Sequence, residues 1–284
     1  MLFASSFETE IEKNRHELEV PRDEVVLSGL HSSLDLRLRG GFITGCELTS
    51  PSTSDRIQVL YSEQDTSIAK LPASHIMSPV GPSEGLGGQH GFPRWADYKE
   101  FPLDGGPEGQ KRVSLQAKRS DDGPAINKLF ELSDSKLAMA TVLGVPGAEV
   151  QQTSLGEHLY FTLDDENMDG LRLGNWSFDD RFGAGTEASI MVGEPLYWDY
   201  FDAHATNDII IRFPAGHSIR LSAEVNIPTQ PNKNEARIGM LIWHKPGSDS
   251  ICFEPTLGFH DGKGDGLVIP PEHEATLQTT IELL

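Results

Sequence analysis

Cysteine is scarce in this sequence: the 284 residues include only two, Cys46 and Cys252. So few cysteines exclude a scaffold held together by disulfides. Both lie in apolar, strand-like segments, which predicts buried, reduced thiols. A chain of this length can bury a large hydrophobic core without covalent cross-links.

Positive charge is also scarce. The chain has 23 Lys and Arg against 43 Asp and Glu, so its formal net charge is −20. Nucleic acids and anionic membrane surfaces are bound by clustered lysines and arginines, so we expect neither as a partner. A small anionic ligand held by one or two local arginines remains compatible with this composition.

Long apolar segments are missing as well. No stretch approaches the roughly 18 uncharged apolar residues of a membrane-spanning helix. Residues Met1–Val20 are rich in Glu and lack the basic and apolar segments of a secretory signal. We therefore expect a cytoplasmic protein without a membrane partner. A monomer and a homodimer are both compatible with the sequence.

What the sequence does have is alternation of apolar and polar residues, which is typical of half-buried strands. Frequent glycine (28) and proline (18) punctuate the alternating runs, as many turns require. About a dozen strands and no amphipathic helix are predicted. The clearest predicted strands are Ser33–Arg39, Phe42–Leu48, Arg56–Tyr61, Arg112–Lys118, Lys136–Val142, Glu157–Leu163, Ile209–Phe213, His217–Ile227, Arg237–His244, Ile251–Glu254 and Thr276–Leu284.

Two segments lack this alternation and are predicted as long loops. They are Leu71–Gly109, dense in Pro, Gly and Ser, and Asp164–Tyr200. No internal repeat or linker divides the chain, so residues 1–284 are predicted to form a single domain. The expected fold is all-β, a large antiparallel β-sandwich.

Functional groups are most concentrated in the segment Gly88-Gln89-His90-Gly91-Phe92-Pro93-Arg94-Trp95. It combines an imidazole, an amide, a guanidinium and two aromatic rings. Aromatic faces beside hydrogen-bonding side chains suit a sugar, which has apolar C–H patches and directional hydroxyls. A tight turn whose aromatic residues close the core is the alternative interpretation.

Two predicted strands carry further ionisable groups. In Gly156–Leu163, His158 and Tyr160 share one face of the strand. In Ile251-Cys252-Phe253-Glu254-Pro255, a carboxylate ends an apolar run, where desolvation would raise its basicity and suit it to act as a general base. A structural histidine and a solvent-facing glutamate are the alternatives.

Three motifs in this order, His90-Gly91, His158-Leu159-Tyr160-Phe161 and Glu254-Pro255, resemble those of the aldose 1-epimerase (galactose mutarotase-like) superfamily. The likeness spans roughly residues 33–284. It implies a supersandwich with a shallow cleft on one sheet, and interconversion of the α and β anomers of a small-molecule sugar.

The resemblance also implies roles for individual residues. Glu254 would be the catalytic base, His158 the acid, and His90 would hydrogen-bond the ring oxygen or the C1 oxygen. No metal and no organic cofactor are implied. The residues expected to bind the substrate are Gln89, Arg94, Asp202 and Trp243, with Asp199 and Asp208 as alternatives to Asp202.

The first motif continues as Phe92-Pro93-Arg94, which looks more like the hexose-6-phosphate epimerase branch than the His-Gly-Gly of the free-aldose branch. Arg94 has the forked guanidinium that suits a phosphate. That branch carries a second arginine upstream, whereas Ser74–Glu84 contains none. A free sugar, a sugar phosphate, and a non-catalytic carbohydrate-binding module on the same fold all remain open.

Overall fold

The computed structural model of this chain describes residues 23–61, 72–81, 90–103, 110–119, 124–145, 151–163, 196–200, 207–213, 215–227, 238–244, 248–259 and 266–284. Within these ranges there are eighteen β-strands and one short 3₁₀ turn, Phe92–Arg94. None of the described residues forms a helix long and apolar enough to cross a membrane.

The strands are numbered along the chain. They are β1 (Glu24–Ser28), β2 (Ser33–Arg37), β3 (Phe42–Thr49), β4 (Arg56–Leu60), β5 (His75–Met77), β6 (Lys99–Pro102), β7 (Lys111–Lys118), β8 (Ala125–Leu132), β9 (Lys136–Gly144), β10 (Gln151–Thr153), β11 (Leu155–Thr162), β12 (Leu196–Tyr200), β13 (Asn207–Arg212), β14 (Ser218–Asn226), β15 (Ile238–Trp243), β16 (Ser250–Leu257), β17 (Leu267–Ile269) and β18 (Glu274–Leu283).

Most of these strands belong to two large antiparallel sheets. The nine-stranded sheet has the order β1-β2-β3-β4-β11-β16-β15-β12, with β5 also paired to β11. The seven-stranded sheet has the order β13-β14-β18-β9-β8-β7-β6, and β10 pairs with β17 separately. One hydrophobic cluster combines side chains of both large sheets. The predicted all-β sandwich is therefore confirmed.

Burial follows the predicted alternation in the seven-stranded sheet. Along β14 and β9, buried residues alternate with partly exposed ones, because one face packs on the core and the other meets solvent. In contrast, every residue of β16 and the first five residues of β11 are buried. These two neighbouring strands therefore bury side chains on both faces of the nine-stranded sheet.

The prediction of one long loop over Leu71–Gly109 was wrong. This segment contains β5, the 3₁₀ turn and β6. All three residues of β5 are buried and all four of β6 are exposed, so neither strand shows the alternation that reveals a half-buried strand. Most of the other predicted loop, Asp164–Tyr200, lies outside the described residues, and its end forms β12.

A buried ion pair crosses the core between the two large sheets. The Nζ atom of Lys128 in β8 lies 2.5 Å from an oxygen of Glu157 in β11. The hydroxyl of Thr141 in β9 donates to the other carboxylate oxygen. At most 1% of either charged side chain is exposed. Because desolvating two charges is costly, such a pair persists only when its partners satisfy one another.

Candidate active site

Three strands of the nine-stranded sheet bring the candidate residues together. His75 of β5 lies directly opposite His158 of β11. On the other side of β11, Tyr160 lies opposite Cys252 of β16, and the same register places His158 opposite Glu254. Directly paired residues of antiparallel strands point to the same face. These side chains therefore share the face of the sheet that is turned away from the core.

The predicted acid and base are in direct contact. The Nε2 atom of His158 lies 3.2 Å from Oε1 of Glu254, and each side chain is 8% exposed. Two groups that lie far apart in sequence thus form one buried pair at hydrogen-bonding distance. An imidazole and a carboxyl group are the side chains most often used to exchange protons with a bound molecule.

Burial shifts the pKa of both members of this pair. It raises the pKa of Glu254 to about 8. It also lowers the pKa of His158 well below the ordinary histidine value, and the neighbouring basic groups His90 and Arg94 add to the effect. Both shifts favour uncharged forms. Burial thus favours the carboxylic acid of Glu254 beside the neutral imidazole of His158, and because the two groups are in contact they titrate as a unit.

His90 meets this pair from the turn that precedes the 3₁₀ helix. Its ring centroid lies 5.3 Å from that of His158, in an edge-to-face arrangement at 74°. Its backbone is fixed on both sides, since His90 N donates to Gly81 O and Ser78 N donates to His90 O. Burial, with a smaller contribution from Arg94, lowers the pKa of His90 to about 4.

The backbone conformation at position 91 explains why a glycine follows His90. Its backbone angles are φ 68° and ψ −168°, a region that is almost closed to residues with a side chain. A Cβ atom placed there would also lie 1.8 Å from the carbonyl oxygen of Ser78. The close approach of these two segments holds His90 beside the pair.

Arg94 is a buried cation on the same segment. It is 8% exposed, and its guanidinium carbon lies 5.8 Å from the ring centroid of Trp95. Its Nε atom has no hydrogen-bond partner, and within the described ranges no carboxylate forms an ion pair with it. Burial lowers its pKa. An anion supplied from outside the chain would relieve this uncompensated buried charge.

Tyr160 and Cys252 complete the buried face. The Tyr160 ring stacks on His158, with 4.6 Å between centroids and 16° between planes. The Tyr160 side chain lies beside Cys252, the residue opposite it in the paired strands. Burial raises the pKa of both groups, so they stay protonated at neutral pH. The sequence places both residues on predicted strands without assigning them a role.

Metal binding is the other chemistry that these groups permit. His158, Cys252 and Glu254 each offer a ligand atom, and the three atoms lie within 4.8 Å of one another. It is the one such group found among the residues that the structure describes. Metals bind the thiolate rather than the thiol, and burial opposes deprotonation of Cys252. A metal ion at this position would therefore have to displace the thiol proton of Cys252.

Two other predicted substrate-binding residues, Gln89 and Asp202, lie outside the described residues. Trp243 ends β15 opposite Cys252, which puts the half-buried tryptophan on the same face as the pair. Trp243 is the one of these three residues that the structure describes, and its role in binding a substrate stays a prediction.

The two alternatives to Asp202 fall in different sheets. Asp208 is exposed in β13 of the seven-stranded sheet, which does not carry the pair. Asp199 belongs to β12, at the edge of the nine-stranded sheet. Of these two aspartates, only Asp199 lies in the sheet that carries the candidate site.

His75 contacts the candidate acid, but nothing in the sequence marks it as a residue of the site. This histidine is fully buried and stacks on His158, with 4.9 Å between ring centroids and 16° between planes. It lies in a three-residue strand within a segment rich in Pro and Ser, and no periodic pattern marks it. Its pairing with His158 depends on a contact between distant segments, which only the folded sheet reveals.

Comparison with known proteins identifies the fold. No protein-family model matches this sequence, and no curated protein matches it either. A galactose mutarotase-like protein from Clostridium acetobutylicum superposes with a TM-score of 0.65 at 11% identity, covering 92% of this chain and 95% of the other. A galactose mutarotase-like protein from Lactobacillus casei has a TM-score of 0.61 at 16% identity, with coverage of 92% and 100%.

An aldose epimerase homologue from C. elegans is similar to the same extent. Its TM-score is 0.60 at 12% identity, and the match covers 92% of this chain and 98% of that one. Likeness at such low identity establishes the fold and leaves the activity open. The chain therefore has the galactose mutarotase-like β-sandwich fold, as the order of its motifs predicts.

Proposed function

We propose that this chain, with its galactose mutarotase-like fold, is an aldose 1-epimerase that interconverts the α and β anomers of a hexose or related sugar. One observation carries the proposal: Nε2 of His158 lies 3.2 Å from Oε1 of Glu254 in a buried position. Anomer exchange needs one acid and one base that act together on neighbouring oxygens of the sugar. A buried pair sharing a single proton supplies both.

In the proposed reaction the Glu254 carboxylate removes the proton from the C1 hydroxyl. His158, as imidazolium, gives its proton to the ring oxygen, and the bond between C1 and the ring oxygen breaks. The product is an open-chain aldehyde with a new hydroxyl at C5. After rotation about the C1–C2 bond, the same hydroxyl attacks the other face of the aldehyde. The protons return along the same paths, so no net charge and no electrons are transferred.

The protonation state that burial favours matches the state of the pair after the sugar ring has opened. Burial favours the carboxylic acid of Glu254 and the neutral imidazole of His158. That is the state of the pair when the ring is open. The other state, carboxylate and imidazolium, differs by one proton moved across the 3.2 Å contact. Both states have zero net charge, but burial disfavours the charged pair, so the attraction between carboxylate and imidazolium and their hydrogen bonds to the sugar oxygens must offset that desolvation cost.

Two neighbouring residues have supporting roles in this proposal. His90, whose ring is 5.3 Å from that of His158, is a hydrogen-bonding group for the ring or C1 oxygen. Burial keeps His90 neutral near pH 7. Trp243, on the same face of the sheet, offers an aromatic surface for the C–H patches of a sugar.

A hexose 6-phosphate is the second candidate substrate, and Arg94 is the observation that favours it. The guanidinium is buried without a described carboxylate partner and lies on the segment that carries His90. A phosphate would provide the missing negative charge and could accept two parallel hydrogen bonds from the guanidinium.

Anomer exchange measured by NMR tests the proposal. We expect the protein to accelerate α/β interconversion of glucose, galactose or glucose 6-phosphate, and Glu254→Gln to lose about 10²-fold or more of that acceleration. The preferred sugar distinguishes the free from the phosphorylated substrate. If folded protein accelerates none of the three, the proposal fails for these sugars. Ligand-induced shifts without exchange would instead indicate a carbohydrate-binding module.

A further inference from the structure

His75 is a buried ionisable group that the proposed proton transfers do not use. It lies in β5 directly opposite His158 of β11, and none of its surface is exposed. Polar groups are costly to bury unless they are hydrogen-bonded. A histidine at this fully buried position, next to the acid–base pair, therefore needs a physical explanation.

One hydrogen bond fixes the tautomer and rotation of the His75 ring. Its Nδ1 atom lies 2.8 Å from the carbonyl oxygen of Ala73. A carbonyl oxygen only accepts, so Nδ1 carries the hydrogen, and in the neutral ring Nε2 is then unprotonated. Nε2 is buried and has no hydrogen-bond partner in the described part of the chain. The His75 ring is thus held at one edge.

This fixed ring packs against the imidazole of His158. The His75 and Tyr160 rings both lie nearly parallel to it, at 4.9 Å and 4.6 Å and with 16° between planes in each case. His90 meets it edge-on at 5.3 Å. Because buried side chains are close-packed, the His158 ring cannot tilt without displacing one of these neighbours. Its Nε2 consequently stays 3.2 Å from Glu254.

The surroundings of His75 keep it uncharged. The ionisable groups that act on it are those of His158, Arg94 and His90, and the uncharged ring of Phe42 packs on it at 5.3 Å. Burial and these three basic groups hold the pKa of His75 well below its ordinary value. The stacked ring therefore adds no positive charge that would compete with proton uptake by His158.

We propose that His75 is a positioning residue, which fixes the plane of the His158 imidazole so that Nε2 faces Glu254. Its effect on catalysis rests on the proposed epimerase function. Its effect on the order of the His158 ring does not, and can be measured separately.

Substitutions at His75 and at a matched control position test the catalytic effect. His75→Leu removes the stacked ring, and we expect it to lower kcat about 10-fold or more with KM changed less than about twofold. His75→Phe keeps an aromatic ring and should recover most of that loss. Phe42→Leu is the control, because Phe42 packs on His75 and makes no ring contact with His158 among the described residues. We expect its kcat to match the wild type.

NMR of the His158 side chain tests the positioning itself, whether or not the protein is an epimerase. The signals are assigned by their absence from His158→Asn. We expect them to shift and broaden in His75→Leu and to stay unchanged in Phe42→Leu. If His75→Leu does not fold, His75→Gln replaces it, since it retains an N–H donor without the ring. Unchanged His158 signals in the folded variant would overturn the proposal.

Equal effects of His75→Leu and Phe42→Leu on the His158 signals would also overturn the proposed positioning role. They would show that His75 contributes no more to the order of the His158 ring than any packed neighbour does. Wild-type protein without epimerase activity would refute the proposed function alone. The NMR comparison would still decide the role of His75.

Discussion

Glu157 and His158 are consecutive residues of β11, yet their side chains enter opposite faces of the nine-stranded sheet. The Glu157 carboxylate pairs with Lys128 in the core, while His158 Nε2 contacts Glu254 on the other face. The alternation of a β-strand makes this possible. One strand thus carries a charged contact to the opposite sheet and, on its other face, half of the candidate acid–base pair.

The core ion pair gives the first prediction. Lys128→Met leaves the buried Glu157 carboxylate without its cation, so we expect it to lower the free energy of unfolding by about 3–5 kcal/mol. Adding Glu157→Gln removes the unpaired charge and should restore most of this stability. Urea unfolding of the two variants and the wild type measures the difference. Equal stability of the single and double variants would contradict the prediction.

The turn at Gly91 gives a second prediction. Gly91→Ala adds a Cβ in a conformation of positive φ, 1.8 Å from the Ser78 carbonyl oxygen. We expect a loss of about 2 kcal/mol or more, with displacement of His90. Gly144→Ala is the matched control, because its new Cβ meets nothing within 4 Å. That variant should stay within about 1 kcal/mol of the wild type in thermal unfolding; similar losses in both variants would be inconsistent with the strain at Gly91.

The pKa of Glu254 predicts how stability depends on pH. Burial raises this pKa from 4.5 to about 8, so the folded protein keeps a proton that the unfolded chain releases. The associated stability is complete below pH 4.5 and is lost as the pH rises through about 8. Glu254→Gln cannot ionise, so its stability relative to wild type should increase between about pH 5 and pH 9. Urea midpoints across this range test this, and a constant difference would argue against it.

Arg94 predicts a difference between substrates. If its guanidinium binds a phosphate, Arg94→Ala should weaken binding of glucose 6-phosphate by about 10-fold or more, with a much smaller effect on glucose. Arg112→Ala, which removes an arginine paired with Glu131 in the seven-stranded sheet, is the control and should affect neither sugar. Steady-state exchange kinetics give both values. Equal losses for the two sugars in Arg94→Ala would limit Arg94 to a structural role.

Much of the fold can be predicted from the sequence, because half-buried strands alternate visibly. His217–Ile227 is such a segment, and it contains β14. The strand β8 is absent from the predicted strands because Lys128 occupies one of its core-facing positions and interrupts the alternation of apolar residues. Very short strands, such as β5 and β17, contain too few residues to show any period.

The candidate site is predictable only where local motifs mark it. The ordered motifs identify His90, His158 and Glu254. In the structure, His158 contacts both of the others: the His90 ring meets it edge-on, and the Glu254 carboxyl group lies at its Nε2 atom. The contributions of His75 and Tyr160 depend on strand register and ring packing. Those relationships arise from pairing between distant segments, and no local pattern encodes them.

The pairing of β5, β11 and β16 also has a consequence for how the chain folds. These three strands come from widely separated parts of the sequence, so their contacts are among the most non-local in the molecule. Non-local pairing requires closing long loops first, which makes it slow. A nascent or partly folded chain, even one with complete local hairpins such as β7–β8 and β13–β14, would have no acid–base pair. The proposed activity should therefore appear only after these contacts between distant segments have formed.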